Sequence, residues 1–263
     1  MVAQVKPGPG WTLHLGDCLD PVTGLASLAD KSVDHIITDP PYDEHTHGKQ
    51  RRGAAGGKGH QFGFGTGGSS GISLERHVGF GFISDEDTSS VATQVSRVAS
   101  RWSLTFCAVE QFPSWRVAFE AAGRQHVRVG IWFKPGCTPQ FTGDRPASAC
   151  EAIEITHPRG HKRWNGGGGY GFWEVPIVKE QSGERCHPTQ KPLDLMLALV
   201  RDFTDPGELV CDPFAGSGTT GVACLRLGRR FVGWERDPKY HAVAVKRLSQ
   251  AREQLRLFEG SAR

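Results

Sequence analysis

The chain contains the run Leu209-Val210-Cys211-Asp212-Pro213-Phe214-Ala215-Gly216-Ser217-Gly218-Thr219-Thr220-Gly221, in which a short apolar strand leads through a glycine turn into a helix. Just beyond it, residues 230–234 have the pattern of a strand, and residues 238–256 have that of a helix capped by Asp237. Strands that alternate with helices form βαβ units around a parallel sheet. This part of the sequence therefore predicts an open, doubly wound, mostly parallel α/β sheet.

The rest of the chain extends the same alternation. Strands are predicted at residues 11–15, 33–38, 102–108, 126–133, 151–156 and 209–212, and helices at 91–101, 113–122, 192–203 and 218–227, with a short helix between 21 and 30. Two of these strands run directly into a carboxylate, at Asp17 and at Asp39. A length of 263 residues suits one substantial α/β domain, so residues 1–263 are predicted to fold as a single domain.

Composition narrows the class of protein only moderately. Lys and Arg total 31 against 28 Asp and Glu, so any nucleic-acid surface must come from local clustering of basic residues. The seven cysteines include no Cys-x-x-Cys pair and are odd in number, which predicts free thiols in a reducing cytoplasm. A zinc site built from Cys137, Cys150, Cys186 and nearby histidines is the alternative. No run of about 20 apolar residues indicates a membrane span, so a soluble cytoplasmic protein without a metal is expected.

The glycine turn is the first candidate binding site. Residues 216–221 match G-x-G-x-x-G, a pattern found in nicotinamide and flavin dinucleotide sites. Glu235, at the end of the next predicted strand, suits the ribose hydroxyls of any nucleoside cofactor, whether NAD or S-adenosylmethionine. The carboxylate of Asp212 and the ring of Phe214 disfavour a pyrophosphate at the strand end, whereas an anion there suits the ammonium group of a methionine moiety. S-Adenosylmethionine is therefore favoured over a dinucleotide.

The run Asp39-Pro40-Pro41-Tyr42 is the second candidate site. The exocyclic amino group of a nucleic-acid base is a poor nucleophile, because its lone pair is delocalised into the ring. The Asp39 carboxylate and the Pro40 carbonyl can accept its two N–H bonds, two prolines keep the turn rigid, and Tyr42 can stack on the base. Such a base must leave a duplex before it reacts, and stacking offsets part of the cost of unpairing. Taken alone, the same four residues would also suit an ordinary turn.

A third cluster, His187-Pro188-Thr189-Gln190-Lys191-Pro192, stands at the start of a predicted helix. Its prolines direct the chain into that helix, while Thr189 and Lys191 can hydrogen-bond or pair with a carboxylate such as that of methionine. By itself the cluster is compatible with a plain helix start. Its presence beside the other two motifs favours a role in cofactor binding.

Two further segments are predicted to be loops. Residues 43–82 are rich in glycine, with basic residues and four histidines interspersed, and form either a flexible linker or a basic flap that orders on a phosphate backbone. Their position directly after Tyr42 favours the flap. Residues 134–170, apart from the strand at 151–156, are expected to read the nucleic-acid sequence; a solvated loop is the alternative. No separate recognition domain is expected, so these loops read a short site, sequence preference is loose, or a partner subunit contributes.

The motif order resembles that of the bacterial and phage DNA amino-methyltransferases of the β arrangement, in which the catalytic motif precedes the cofactor motif. Here Gly16-Asp17-Cys18 and Asp39-Pro40-Pro41-Tyr42 come first, followed by residues 187–192, by residues 212–220 and by Glu235. The resemblance extends from Trp11 to Lys246 and is loose between residues 43 and 186. It implies a Rossmann-like sheet of the S-adenosylmethionine-dependent methyltransferase type.

The resemblance also implies the roles of individual residues. The cofactor S-adenosylmethionine would contact Asp212, Phe214, Gly216, Gly218, Thr219 and Thr220, with Glu235 on its ribose, Asp17 near its adenine ring, and Thr189, Lys191 and Pro192 at its methionine end. Catalysis would fall to Asp39, Pro40, Pro41 and Tyr42, without a metal and without a covalent enzyme intermediate. The implied substrate is DNA, and no membrane partner is implied.

The identity of the base depends on the first residue of the catalytic motif. Asp39, where other members have serine, resembles the adenine-modifying members more than the cytosine-modifying ones, so N6 of adenine is favoured. Cytosine N4 is the main alternative, and RNA is a weaker one. The family is compatible with a homodimer, with a companion endonuclease of a restriction-modification system and with a recognition subunit, but no motif in the sequence marks any of these.

Two alternative hypotheses assign the chain to other classes of protein. A non-catalytic nucleic-acid-binding module could keep the fold, but a pure binder would need neither Asp39 nor Tyr42. An NAD-dependent dehydrogenase could use the glycine turn. Thermal stabilisation by S-adenosylmethionine or S-adenosylhomocysteine, but not by NAD, would remove the dehydrogenase.

Overall fold

A computed structural model of the protein describes residues 10–42, 83–137, 143–178 and 190–261, with side chains as far as Leu255. In these ranges the strands are β1 (Trp11–Leu15), β2 (His35–Thr38), β3 (Ser103–Cys107), β4 (Gln125–Phe133), β5 (Cys150–His157), β6 (Phe172–Glu174), β7 (Leu209–Asp212) and β8 (Arg230–Glu235). The helices are α1 (Asp85–Val98), α2 (Phe112–Ala121), α3 (Leu193–Phe203), α4 (Thr219–Arg226) and α5 (Pro238–Ser261). Short 3-10 turns lie at Leu25–Ser27 and Val109–Gln111.

The strands form one sheet in the order β1-β8-β7-β2-β3-β5-β4-β6. In the described ranges β5 runs antiparallel to both of its neighbours, and the other strand pairs are parallel. β2 and β7 are neighbours, with His35 opposite Val210, and the strands that follow them in the chain add on opposite sides of this pair. The predicted doubly wound, mostly parallel sheet is thus confirmed.

Helices cover both faces of this sheet. On one face, Val95 of α1 and Phe119 of α2 share a buried cluster with Ile36 of β2. On the other face, residues of α3, α4 and α5 are clustered with Ile37 and Leu104. Successive residues of a strand point to opposite faces, so Ile36 and Ile37 belong to different cores. Because both faces are covered, every residue of the central strands β2, β3 and β7 is buried.

Some elements differ from the sequence prediction. α1 begins at Asp85, earlier than predicted, because Ser84 caps it: the Asp87 N–H donates to Ser84 Oγ at 3.0 Å, and the Asp87 carboxylate accepts the Ser84 N–H. Between residues 21 and 30 the chain forms a single 3-10 turn in place of a helix. β6 was not predicted, since three residues are too few to show a period. None of the helices in the described ranges combines the length and apolar composition that crossing a membrane requires.

The cysteines in the described ranges are free thiols. Cys18, Cys107, Cys211 and Cys224 are buried, and burial raises their pKa values above the usual range. They therefore behave as small apolar side chains. No group of three or more potential metal ligands occurs among the side chains that the structure describes. Cys186 and the predicted loop at residues 43–82 lie outside those ranges.

The turn between β7 and α4 depends on its glycines. Gly216 and Gly218 have φ angles of +53° and +77°, a left-handed conformation that costs other residues roughly 1–2 kcal/mol. A Cβ on Gly221 would lie 2.6 Å from Leu248 Cδ2 and 2.7 Å from Phe231 Cδ1, so the glycine lets α4 approach α5 and β8 closely. The glycines thus place the start of α4 beside the end of β7.

Candidate active site

Four carboxylates lie at one edge of the sheet. β1, β8, β7 and β2 are consecutive parallel strands, so their carboxyl ends meet at that edge. Asp17 and Asp39 closely follow β1 and β2, while Asp212 and Glu235 are the last residues of β7 and β8. The predicted placement of the two motifs at the ends of neighbouring strands is confirmed, since β2 pairs with β7.

Asp212 is a buried carboxylate with both oxygens occupied. Its Oδ1 accepts the Thr38 hydroxyl at 2.8 Å and the Phe214 N–H at 3.1 Å, and its Oδ2 accepts the Thr220 hydroxyl at 2.6 Å. Burial raises its pKa to about 6 in spite of these hydrogen bonds. The bonds join β2, β7 and α4 at a residue that is 2% exposed. Asp212 therefore fixes the strand ends and the helix start relative to one another, rather than offering a free carboxylate to an ammonium group as its sequence position suggested.

Glu235 is tied to the glycine turn. Its Oε2 accepts the Gly216 N–H at 2.9 Å, and its Oε1 accepts the Asp237 N–H at 2.7 Å. Burial raises the pKa of this carboxyl above its usual value. Among the described residues, no atom outside the chain neighbours of Gly216 lies within 4 Å of the position that a Cβ on Gly216 would take, so the turn borders open space there. The carboxylate and the turn together form a cradle beside the end of β8.

Arg247 is a part of this site that sequence reasoning missed. From α5, its Nη1 donates to the Ser217 carbonyl at 2.6 Å, to the Ser217 hydroxyl at 2.9 Å and to Thr219 Oγ1 at 3.1 Å. The rigid guanidinium suits several acceptors at once. An arginine in a helix carries no sequence signal for this contact. Arg247 braces the glycine turn from outside the strand-turn-helix motif.

Lys191 lies beside Asp39, in the half of the site at the ends of β2, β4 and β5 (the Asp39 half, or base half), whereas the glycine turn and Glu235 form the other half (the Glu235 half, or cofactor half). Its Nζ is 2.7 Å from Asp39 Oδ2 and 2.9 Å from Glu151 Oε2. The residue is 9% exposed. Burial lowers its pKa, but the two carboxylates outweigh burial and raise the pKa above its usual value, so the amine is charged. Sequence reasoning placed Lys191 at the methionine carboxylate; in the structure it pairs with carboxylates of the protein itself.

Glu151 and Lys134 complete a chain of four largely buried charges that the sequence did not predict. Lys134 Nζ donates to Glu151 Oε1 at 2.8 Å, so negative and positive groups alternate along Asp39, Lys191, Glu151 and Lys134. Burial raises the pKa of Glu151, but the two ammonium groups outweigh it and lower that pKa to about 2. Burial also raises the pKa of Asp39, which stays above its usual value. The available sequence signal was that Glu151 and Lys134 lie at the ends of predicted strands.

Three aromatic rings surround the Lys191 ammonium group. Its Nζ lies 4.9 Å from the ring centroid of Phe106, 5.5 Å from that of Trp132 and 6.0 Å from that of Tyr42. Ring faces stabilise a cation at this range. Burial and the neighbouring carboxylates raise the pKa of Tyr42 well above its usual value, so its hydroxyl stays protonated. The rings keep the ammonium group beside Asp39 in surroundings that are poor in water.

One oxygen of Asp39 is left for a ligand. Asp39 Oδ1 is buried and has no hydrogen-bond partner among the described residues. The backbone that follows is stiff, because Pro40 and Pro41 have fixed φ angles. A buried acceptor without a partner costs on the order of 1–3 kcal/mol. A ligand that brought an N–H donor to Oδ1 would remove this cost.

The structure places the remaining predicted residues as follows. Asp17 is exposed, and its Oδ1 accepts the Leu19 N–H at 2.8 Å. Phe214 is half-buried beside the end of β7, and Pro192 is buried directly before α3. Thr189 lies outside the described residues. Asp17 and Phe214 thus belong to the carboxyl edge, whereas Pro192 directs Lys191 toward it.

The predicted recognition segment, residues 134–170, is divided by β5 between two edges of the sheet. Because β5 is antiparallel, residues 143–149 lead into it at the carboxyl edge, and residues 158–165 leave it at the opposite edge. The second stretch is anchored near the end of α3, where the Asn165 N–H donates to the Asp202 carbonyl at 2.8 Å. The first stretch therefore adjoins the Asp39 half of the site, and the second is held away from it.

Comparison with known proteins places this architecture in a family. The N6_N4_Mtase family, described as DNA methylase, matches residues 33–246. The chain is 25% identical to the type II methyltransferase M.HinfI of Haemophilus influenzae, over 91% of this chain and 68% of that protein. It is 29% identical to the putative methylase YubD of Escherichia coli K12, over 89% and 88% of the two chains.

Solved structures share the fold. The M1.HpyAVI–SAM complex matches with a TM-score of 0.63 and 24% identity, over 90% of this chain and 100% of that one. The PvuII DNA methyltransferase, which is cytosine-N4-specific, matches with a TM-score of 0.65 and 16% identity, over 93% and 92% of the two chains. The family match includes Asp39, Lys191, the glycine turn and Glu235. The chain therefore belongs to the N6_N4_Mtase family of DNA methylases.

Proposed function

We propose that this chain transfers a methyl group from S-adenosylmethionine to the exocyclic N6 amino group of adenine in DNA, after the base has left the duplex. The observation that carries the proposal is the Asp39 carboxylate. Lys191 holds its Oδ2, and its buried Oδ1 has no partner among the described residues. An acceptor for an amino N–H thus stands at the same sheet edge as the glycine turn.

The Asp39 motif suits an amino group that must be made nucleophilic. Asp39 Oδ1 and the Pro40 carbonyl would each accept one N–H, which orients the nitrogen lone pair away from the ring system. Tyr42 would stack on the flipped base. The methylated nitrogen must then lose a proton, and Asp39 Oδ1 is the adjacent acceptor. Burial, which raises the pKa of Asp39, strengthens it as a base.

The Glu235 half suits S-adenosylmethionine. Glu235 uses one lone pair of each oxygen on a backbone N–H, which leaves others for ribose hydroxyls. The open space at Gly216 would admit a nucleoside beside the turn. Two carboxylates at this edge, Glu235 and Asp212, disfavour a pyrophosphate and favour a cationic cofactor. When bound, S-adenosylmethionine supplies an activated methyl group.

We assign supporting roles to the other predicted residues. Asp17 and Phe214 border the adenine ring of the cofactor, Gly216, Gly218, Thr219 and Thr220 shape the turn around it, and Thr189 and Pro192 border its methionine end. Asp212 positions the strand ends, because its oxygens are already occupied. Lys191 belongs with the base, because its ammonium group pairs with Asp39.

We assign DNA contact to segments at the carboxyl edge of this single domain. Residues 143–149 lead into β5 at the carboxyl edge near Asp39, which supports a role for them in reading the bases beside the flipped one. The basic stretch at residues 43–82, proposed as a flap from its composition, follows the catalytic motif directly. Residues 158–165 are left out of this assignment, because they leave β5 at the opposite edge.

Cytosine N4 is the second candidate acceptor. Its exocyclic amine presents the same two N–H bonds and the same delocalised lone pair. The two acceptors, Asp39 Oδ1 and the Pro40 carbonyl, would therefore bind it equally well. The preference for adenine rests on aspartate rather than serine at position 39, which is similar to the adenine-modifying members of the family.

The test is a product analysis. Unmethylated DNA is incubated with the protein and S-adenosylmethionine, digested to nucleosides and examined by mass spectrometry, beside an Asp39→Ala control. N6-methyladenine that depends on Asp39 is the expected result. N4-methylcytosine would reverse the base assignment and keep the mechanism. No methylated base in DNA, from protein that binds S-adenosylmethionine, would contradict the proposal.

A further inference from the structure

We propose that Glu151 is a positioning residue for base methylation: it fixes Lys191 on Oδ2 of Asp39 and so leaves Oδ1 for the amino group. The inference rests on the function proposed above and adds to it a residue outside the recognised motifs. Glu151 acts through Lys191 and not on the base itself.

The position of the Lys191 ammonium group is set from two sides. Asp39 Oδ2 lies 2.7 Å and Glu151 Oε2 lies 2.9 Å from Nζ, and the two carboxylates come from different elements. Lysine has a long flexible stem and a point charge, so a single carboxylate partner would leave it free to move between the two oxygens of Asp39. A second carboxylate on a paired strand removes that freedom. Glu151 sits in β5 opposite Trp132 of β4, which makes it a rigid anchor.

Lys134 fixes the position of the Glu151 carboxylate. Each Glu151 oxygen faces one ammonium group, Oε1 that of Lys134 at 2.8 Å and Oε2 that of Lys191 at 2.9 Å. The carboxylate cannot rotate without losing one of them. The two carboxylates and the two ammonium groups of this network carry no net charge together, so Lys191 remains charged although it is largely buried. Lys134 forms its ion pair with Glu151, so its contact reaches Lys191 and Asp39 through Glu151.

The pattern of satisfied atoms favours positioning over stability alone. A network that served stability would satisfy each of its buried oxygens, since an unsatisfied one carries a cost. Here Asp39 Oδ2 has the ammonium group, while Oδ1 is buried without a partner in the described part of the chain. Glu151 Oε2 also lacks a well-aligned hydrogen bond, but it keeps its ion pair with Lys191 at 2.9 Å, whereas Asp39 Oδ1 has neither. The network thus directs the cation to one oxygen and keeps the other available.

The experiment compares Glu151→Gln with wild type in steady-state methylation of unmethylated plasmid DNA, using radiolabelled S-adenosylmethionine, and in calorimetric titration with the cofactor alone. We expect kcat to fall about 100-fold, as for a small misplacement of a reacting group. Cofactor Kd and DNA KM should stay within about twofold of wild type, because Glu151 contacts neither ligand.

Glu154→Gln is the matched control. Glu154 is a buried acid of the same strand, paired with His126 Nδ1 at 2.9 Å, and it points to the opposite face of β5 from Glu151. Its variant should keep wild-type kcat. An unchanged kcat in Glu151→Gln, or an equal loss in Glu154→Gln, would overturn the inference. Wild type without any methylated base would instead overturn the proposed function, and the inference with it.

Lys134→Met supplies a second variant that leaves the Glu151–Lys191 contact in place. It should lower kcat about 10-fold, less than Glu151→Gln, and the double variant should match Glu151→Gln alone, because Lys134 acts through Glu151. Losses that multiply in the double variant would contradict this order of action. If Glu151→Gln does not fold, a wild-type kcat in Lys134→Met would be enough to overturn the inference.

Discussion

The two halves of the site hold their carboxylates in different ways. In the cofactor half, every oxygen of Asp212 and Glu235 accepts a hydrogen bond from a backbone N–H or a threonine hydroxyl. In the base half, Asp39 is balanced by the Lys191 cation and keeps one buried oxygen without a partner among the described residues. Neutral donors fix the geometry of a binding surface, whereas a counterion keeps a charge in place and leaves an acceptor for a reacting group.

The halves also differ in where their partners lie in the chain. The glycine turn, Glu235 and Arg247 belong to one continuous stretch that runs from β7 to α5, and Thr38 joins them from β2. The base half combines three distant stretches of the chain: Asp39 after β2, Lys134 and Glu151 at the neighbouring ends of β4 and β5, and Lys191 before α3. Substitutions in the first half should therefore change cofactor binding, and those in the second should change turnover or stability.

The sharpest test of this division is Asp39→Ala. We expect kcat to fall by at least about 1,000-fold, because both the amino-group acceptor and the local charge are lost. Cofactor Kd, measured by calorimetry, should remain within about twofold of wild type. Asp39→Asn, which keeps an oxygen and removes the charge, serves as the matched variant. A parallel loss of cofactor affinity would show that the halves are not separate.

Lys191→Met should have the largest effect on stability. It leaves Asp39 and Glu151 buried side by side with one cation fewer, which costs about 3–5 kcal/mol in the free energy of unfolding measured with urea. Without Lys191 the pKa values of both carboxyls rise, so the loss should shrink as pH falls and they protonate, and grow as pH rises. Lys134→Met, which leaves Lys191 between the two carboxylates, should cost less. Equal losses in the two variants at all pH values would contradict the central place of Lys191.

In the cofactor half, Glu235→Ala should weaken S-adenosylmethionine binding about 10-fold, which corresponds to the loss of a charge-assisted hydrogen bond. At saturating cofactor, kcat should stay near that of wild type, in contrast with Asp39→Ala. An unchanged Kd would count against the ribose role of Glu235. Loss of turnover at saturation would count against the division of the site.

The smallest expected effect is that of Arg247→Met. Its Nη1 donates to Ser217 and Thr219, so the variant should loosen the glycine turn and weaken cofactor binding about threefold. The methionine keeps much of the apolar stem, so the melting temperature should change little. Arg226→Met is the control, because Arg226 lies at the exposed end of α4, the helix that the glycine turn leads into. An affinity loss of the same size in that control would remove the specific role of Arg247.

Much of the fold could be predicted because its signals are local. Strand periodicity, proline and glycine placed most elements close to where the structure has them, and the motif order led to the neighbouring ends of β2 and β7. The failures have identifiable causes. Ser84 lengthened α1 at its start, and β6 was too short to show a period.

The sequence by itself determined the strand-turn-helix at Leu209–Arg226 and the stiff Asp39-Pro40-Pro41-Tyr42 turn, because each depends on residues that are near in the chain. The pairing of β2 with β7 joins distant residues, and the order of the motifs predicted it. Only the tertiary structure decided the partner of Lys191. The reversed direction of β5 brings Glu151 to the carboxyl edge beside the end of β4, and it carries residues 158–165 to the other edge. Strand direction is settled by packing across the whole sheet, so the sequence marks Glu151 and Lys134 as residues at strand ends but does not mark them as partners of Lys191.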